Sequence, residues 1–228
     1  MIIIYIYFLL LYKLLIIQSV EINVNNSNDF INGINECKNS ECLLKIDNEI
    51  YIENNIDVST SLKKLHIVGK NRDDSLIHLN NDLYISGEVE EVVFENINVH
   101  GKINCFDNKR VTLSNINIFG AFKVNLTNYP SGYVHINKLN LFADEPTQDH
   151  GLVIRRCNIT IENSNLYGNE QYEAKLINFS GLKTHTLNII NTLVDGKYHQ
   201  GGISMSVSNL NINNSTFLNT YSGNYSYG

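Results

Sequence analysis

Asp73 and Asp74 stand side by side ahead of Ser75-Leu76-Ile77, and Asp149-His150 precedes the apolar run Gly151-Leu152-Val153-Ile154. Paired carboxylates are what hydrolysis of a glycosidic bond draws on, because two or three acids must flank one bond within about 10 Å. A second concentration, Asp144, Glu145 and Asp149 with Arg155 and Arg156 shortly after, has the residue types of a different chemistry. Several carboxylates can hold Ca²⁺ while a neighbouring Arg or Lys acts as base. Nothing in the spacing forces those side chains onto one face, and a hydrophilic loop around Pro146 accounts for them more simply. The seven His occur singly, and His66, His78, His100 and His135 fall at strand or corner positions. There is no His-x-x-x-His, Cys-x-x-Cys, Gly-x-Ser-x-Gly or phosphate loop. The sequence therefore assigns no catalytic, cofactor-binding or metal-ligating residue, and no cofactor is expected.

The elements that would have to position such groups are written in the composition. The chain has 228 residues, 43% hydrophobic and 18% charged, enough apolar material for one core and too little charge to read as disordered. Seventeen Lys and Arg against 23 Asp and Glu give −6, which speaks against a nucleic-acid partner. There are 36 Asn, roughly twice the number of basic residues. AT-rich coding favours Asn, so position must carry the information that abundance does not.

Position does carry it. Val92-Val93-Phe94-Glu95-Asn96-Ile97-Asn98-Val99-His100-Gly101 lines up with Val111-Thr112-Leu113-Ser114-Asn115-Ile116-Asn117-Ile118-Phe119-Gly120, and further copies centre on Lys138, Asn163, Asn191 and Asn214. The intervals are 19, 23, 25, 28 and 23 residues, with a mean of 23.6. Each copy alternates apolar and polar residues as a strand does, and a unit this short must stack on its neighbours to bury its apolar face. A corner between strands favours a residue that tolerates left-handed backbone angles, which Asn does. Stacked corners would set Asn96, Asn115, Asn163, Asn191 and Asn214 one above another as an amide ladder. Lys138 interrupts that series, so its coil is expected to turn differently.

Repeats of the form apolar-x-apolar-x-Asn-x-x-apolar-x-Gly at this interval resemble the right-handed parallel β-helix of the pectin-lyase-like superfamily, with its adhesin-like and surface-protein branches. The resemblance spans about residues 22 to 219 and implies an all-β, single-stranded solenoid. A leucine-rich repeat is the alternative architecture, since Leu62-x-x-Leu65-x-Ile67 and Val207-x-x-Leu210-x-Ile212 fit its strand consensus in part. Its helical half has no counterpart here. Within the superfamily, Asp73-Asp74 resembles the Asp-Asp pair of polygalacturonases and His150-Gly151 their Gly-His-Gly segment. Those two motifs sit about one coil apart in that family. Here Asp74 and His150 are 76 residues apart, about three coils of roughly 4.8 Å each, and the Asn-Thr-Asp and Arg-Ile-Lys partners are missing. Asp73 and Asp74 are expected to form a solvated turn.

Several features point to export. Residues 2–17 are apolar except for Lys13 and give way abruptly to the polar run Glu21–Asp29, which fits a secretory signal cleaved after Ser19 or Val20. Uncleaved, the segment would be a membrane anchor. Asn25, Asn125, Asn158, Asn178, Asn213, Asn214 and Asn224 are Asn-x-Ser/Thr acceptors. Cys37 and Cys42 bracket a polar turn and would close a small loop in an oxidising compartment, whereas Cys105 and Cys157 read as paired or as buried thiols. Phe30, Ile31, Ile34 and Cys37 fall at helical spacing behind the N-cap candidates Ser27, Asn28 and Asp29. That helix would cover the open end of the first coil.

The organisation expected is a signal peptide over 1–19, a strand and capping helix over 20–42, β-helix coils over 43–219 and a flexible or truncated tail over 220–228. The last coil, near Phe217, has no evident lid, which suggests end-to-end stacking or further chain. The functional expectation is a secreted or cell-surface module, non-catalytic, binding glycans or extracellular proteins or serving a structural role. The alternative is a lyase or hydrolase of pectin-like polysaccharides.

Overall fold

The computed structural model describes residues 19–129, 131–143, 151–170 and 175–221. Asp144, Glu145, Asp149, His150 and Asn224, like the N-terminal apolar segment, lie outside the described residues. What is described is an all-β parallel solenoid of about eight turns, 5% helical.

Each full lap carries three strand segments, and equivalent segments of successive laps pair in parallel register. The first face stacks β1 (Ser19–Val24), β2 (Glu41–Ile46), β5 (Leu62–Gly69) and the leading parts of β8 (Val89–Phe106), β9 (Arg110–Asn125) and β10 (Tyr133–Phe142). It continues through β12 (Asn158–Glu162), β15 (Thr186–Ile190) and β18 (Asn209–Asn213). The second face stacks β3 (Glu49–Ile52), β6 (Leu76–Leu79), later parts of β8, β9 and β10, then β13 (Asn165–Tyr167), β16 (Leu193–Asp195) and β19 (Thr216–Leu218). The third stacks β4 (Ile56–Val58), β7 (Leu83–Ile85), the ends of β8 and β9, β11 (Leu152–Arg155), β14 (Lys175–Ser180) and β17 (Gly201–Ser206).

Alternation with period two explains the core. On the first face Leu44, Ile67, Phe94, Leu113, Ile136, Ile161 and Ile189 form one inward column, every member buried to 0% exposure. No lap could bury these residues alone, so the fold is held by contacts between laps.

The corner after the first face is where the Asn pattern acts. Asn96, Asn115, Lys138, Asn163, Asn191 and Asn214 all have φ between 46° and 58°. Asn115 Nδ2 donates to Asn96 Oδ1 at 2.8 Å, Asn191 to Asn163 at 3.3 Å and Asn214 to Asn191 at 2.6 Å. The lap of Lys138 does not turn differently: φ is 58° there, like its neighbours. What changes is the ladder, since Asn163 Nδ2 donates instead to Asn137 Oδ1 at 3.0 Å. At the next corner Gly101 and Gly120 have φ of 122° and 144° and are stacked so closely that a Cβ on Gly120 would lie 2.2 Å from the Gly101 carbonyl oxygen. Only glycine fits both demands.

The amino-terminal end is covered by α1 (Ser27–Glu36). Its N-cap is Asn26, whose side chain accepts from the Asn28 and Asp29 N–H groups, one position before the candidates taken from the sequence. The amide ties itself as well to Asp29, which fixes the first turn. Phe30 and Ile34 point down onto the first laps, and Gly33 lets the helix approach Ile22 and Leu44. Cys37 and Cys42 form the expected disulfide at the helix exit. At the other end of the described residues, Leu210 and Ile212 are 39% and 47% exposed, although Leu187 and Ile189 in the same columns one lap earlier are fully buried.

Candidate ligand-binding face

The second face carries two outward columns whose chemistry is unlike the rest of the surface. One runs Tyr51, His78, His100, Phe119, Phe142 and Tyr167, six rings on six successive laps. Their centroids are 4.4, 5.0, 4.4, 4.8 and 5.1 Å apart in that order. In-register stacking puts ring on ring, so most faces are covered by neighbours and the ring edges point to solvent. The other column, two residues earlier in each strand, runs Asn98, Asn117, Asn140 and Asn165. Each amide after Asn98 donates to the one on the preceding lap, at 2.8, 2.8 and 2.9 Å, and Asn98 itself donates to the Arg72 carbonyl.

An Asn amide has two N–H groups and an oxygen with two lone pairs. The ladder uses one donor and one acceptor of each interior member, which leaves a donor and an acceptor repeated at the lap spacing, about 4.8 Å. From the lap of Asn98 to the lap of Asn165, neither column contains an Asp, Glu, Lys or Arg. Charge appears only at the ends. Below, Glu49 accepts from the Tyr51 hydroxyl at 2.8 Å and meets His78 Nε2 at 2.6 Å, which holds its carboxyl below the usual range. Above, Asp195 accepts from the Lys197 N–H and from Asn219 Nδ2, both at 3.0 Å, and Lys197 Nζ sits 5.6 Å from the Tyr167 ring centre.

The arrangement can hold an extended molecule that offers hydroxyls and C–H surface at a regular spacing. No single residue type marks this column in the sequence, because it mixes Tyr, His and Phe. The detectable signal was an aromatic or imidazole ring two residues after the second Asn of a copy, as in Asn98-Val99-His100 and Asn117-Ile118-Phe119.

The acids considered for catalysis belong to neither column, although Asp73 and Asp74 line a cavity with Glu49 at the lower end of this face. Asp73 and Asp74 are exposed in a turn held by Asn71, whose Oδ1 accepts both their N–H groups. Arg155 and Arg156 are exposed on the third face and the corner after it. Among the described residues no three His, Cys, Asp or Glu are grouped as a metal ion would require. His66 contacts Glu95 at 3.1 Å and His135 contacts Glu162 at 2.9 Å, each bridging two laps. Cys105 and Cys157 are free and buried, and burial pushes both thiols up, that of Cys157 to about 12. Of the acceptor sites, Asn25, Asn213 and Asn214 are exposed, and Asn125, Asn158 and Asn178 are half-buried.

Comparison of the chain with protein-family models, with curated proteins and with solved structures finds no match in any of the three. The β-helix architecture therefore rests on the lap geometry itself.

Proposed function

We propose that this chain is a secreted or cell-surface β-helix that acts as a non-catalytic binding module, and that its ligand is a neutral linear glycan lying along the second face. The observation that carries the reading is the uncharged double column, an amide row beside a row of ring edges. Sugar hydroxyls both donate and accept, so they match a row that offers one of each per lap, and the ring edges give the sugar C–H groups an apolar neighbour. Between Glu49 and Asp195 neither column offers a polyanion a Lys or an Arg. The likeness of the repeats to pectin-lyase-like β-helices of the surface-protein branch supports the same role, and the disulfide fits an oxidising compartment.

The test is titration with neutral oligosaccharides of increasing length, with polygalacturonate in parallel. Leu76 and Leu193 occupy the amide column on other laps, so Asn117→Leu and Asn140→Leu remove the polar row without disturbing the strands. Affinity should rise with chain length and fall at least about tenfold in the double variant, as expected when two or more hydrogen bonds worth about 1 kcal/mol each are lost. Preference for the uronate polymer, or release of reducing or unsaturated ends, would contradict the proposal.

A further inference from the structure

The third face holds a shallow cavity of about 330 Å³ in which Tyr84, Asn104, Phe106, Lys123, Asn125 and Arg155 take part. Tyr84 and Phe106 are each 37% exposed, the rings nearly parallel with centroids 6.2 Å apart. Phe106 lies between two laps: Tyr84 is on the lap below, and Asn125 is its register partner on the lap above. Asn125 is also the acceptor residue of Asn125-Leu126-Thr127. It ends β9 where the chain turns outward, and its Oδ1 accepts from the Thr127 hydroxyl at 2.7 Å. Its Nδ2 has no hydrogen-bond partner among the described residues.

We infer that Asn125 carries an N-linked glycan whose first sugar packs against Phe106, so that the cavity on the third face is the seat of the chain's own glycan. The inference rests on the export part of the reading above and not on the glycan ligand of the second face. Attachment joins Asn125 Nδ2 to the anomeric carbon of a polyprenyl-diphosphate-linked oligosaccharide. The C–O bond to the diphosphate breaks, the diphosphate leaves with the electron pair, and Nδ2 gives up one proton. The amide keeps its oxygen bond to Thr127 and one N–H. The apolar face of the attached sugar then meets the side of the Phe106 ring that Tyr84 does not cover, with Lys123 and Arg155 lining the same cavity. Asn158 has a ring below it too, Tyr133, but its Oδ1 accepts the Thr186 N–H at 3.0 Å and so belongs to the bonding between laps.

The full chain, expressed with its own N-terminus in insect cells, tests this by occupancy mapping of the seven acceptor sites and by a double-mutant cycle. Asn125 should be occupied, and its glycan should be released by glycosidase more slowly from the native than from the unfolded protein. Phe106→Ala should lower the melting temperature by roughly 2–4 °C in the glycosylated chain and by less than half as much in the Asn125→Gln background. Phe106→Leu, which keeps an apolar strand residue, should act in the same direction. An empty Asn125 beside occupied Asn25 or Asn213 would overturn the inference and leave export standing. Equal losses in both backgrounds would remove the seat. No glycan at any site would overturn the inference together with export.

Discussion

Six corner residues share one backbone conformation, and five of them are Asn. Lys138 is the exception, and it meets the same φ with a side chain that cannot join the ladder. Lys138→Asn should therefore stabilise the protein by about 1 kcal/mol, from easier left-handed backbone and one added amide contact. Urea unfolding measures this, and a loss of stability would contradict the role given to the corner. Acid should act in the opposite direction through Glu90 and His66. Lys109 and Lys63, on the laps either side of Glu90, hold its carboxyl below the ordinary range, at 2.7 and 2.6 Å. That contribution is complete above the unfolded carboxylate pKa and is lost as pH falls through the folded value. Burial lowers the pKa of His66, aided by Lys64 and opposed by Glu95, so the native state favours neutral imidazole. Its contribution is complete above about pH 6.5 and declines below it. Melting temperature should thus fall as pH is lowered from 7 to 4, and Glu90→Gln should flatten the lower end of that curve.

Among the elements, the lid is the one set apart from the repeat. Helix α1 seals the first lap through Phe30 and Ile34, and the Cys37–Cys42 bond ties its exit to β2. Replacing both cysteines by Ser should cost about 2 kcal/mol on the loop-closure account of a short cross-linked segment, seen as an earlier urea midpoint and faster proteolysis near Lys38. An unchanged midpoint would mean that packing alone holds the lid. This end was legible in the sequence because helical spacing, capping residues and a Cys pair occur together within residues 26–42. The coils were legible too, since inward residues alternate and the corner Asn recurs. Two details were not. Asn26 rather than its neighbours caps α1, because several adjacent residues are chemically able to and only the chain's entry angle chooses. The ring column was hidden because three residue types share one position, and what unites them, stacking on the next lap, is a property of register and not of any single residue.

For the whole molecule, the consequence of stacking laps in register is that any outward residue becomes a row. The first face uses this for ion pairs and His–Glu contacts between laps, the corner for amide bonding, and the second face for an uncharged row that faces solvent. Binding to that last row is the central claim, and it can be observed at the amides themselves. Side-chain NH₂ resonances of Asn98, Asn117, Asn140 and Asn165 should shift together when a neutral linear oligosaccharide is titrated into isotope-labelled protein. Those of the corner residues Asn96, Asn115, Asn163, Asn191 and Asn214 should stay in place. Shifts confined to the third face or to the exposed last lap, or none at all with any neutral glycan, would contradict the account.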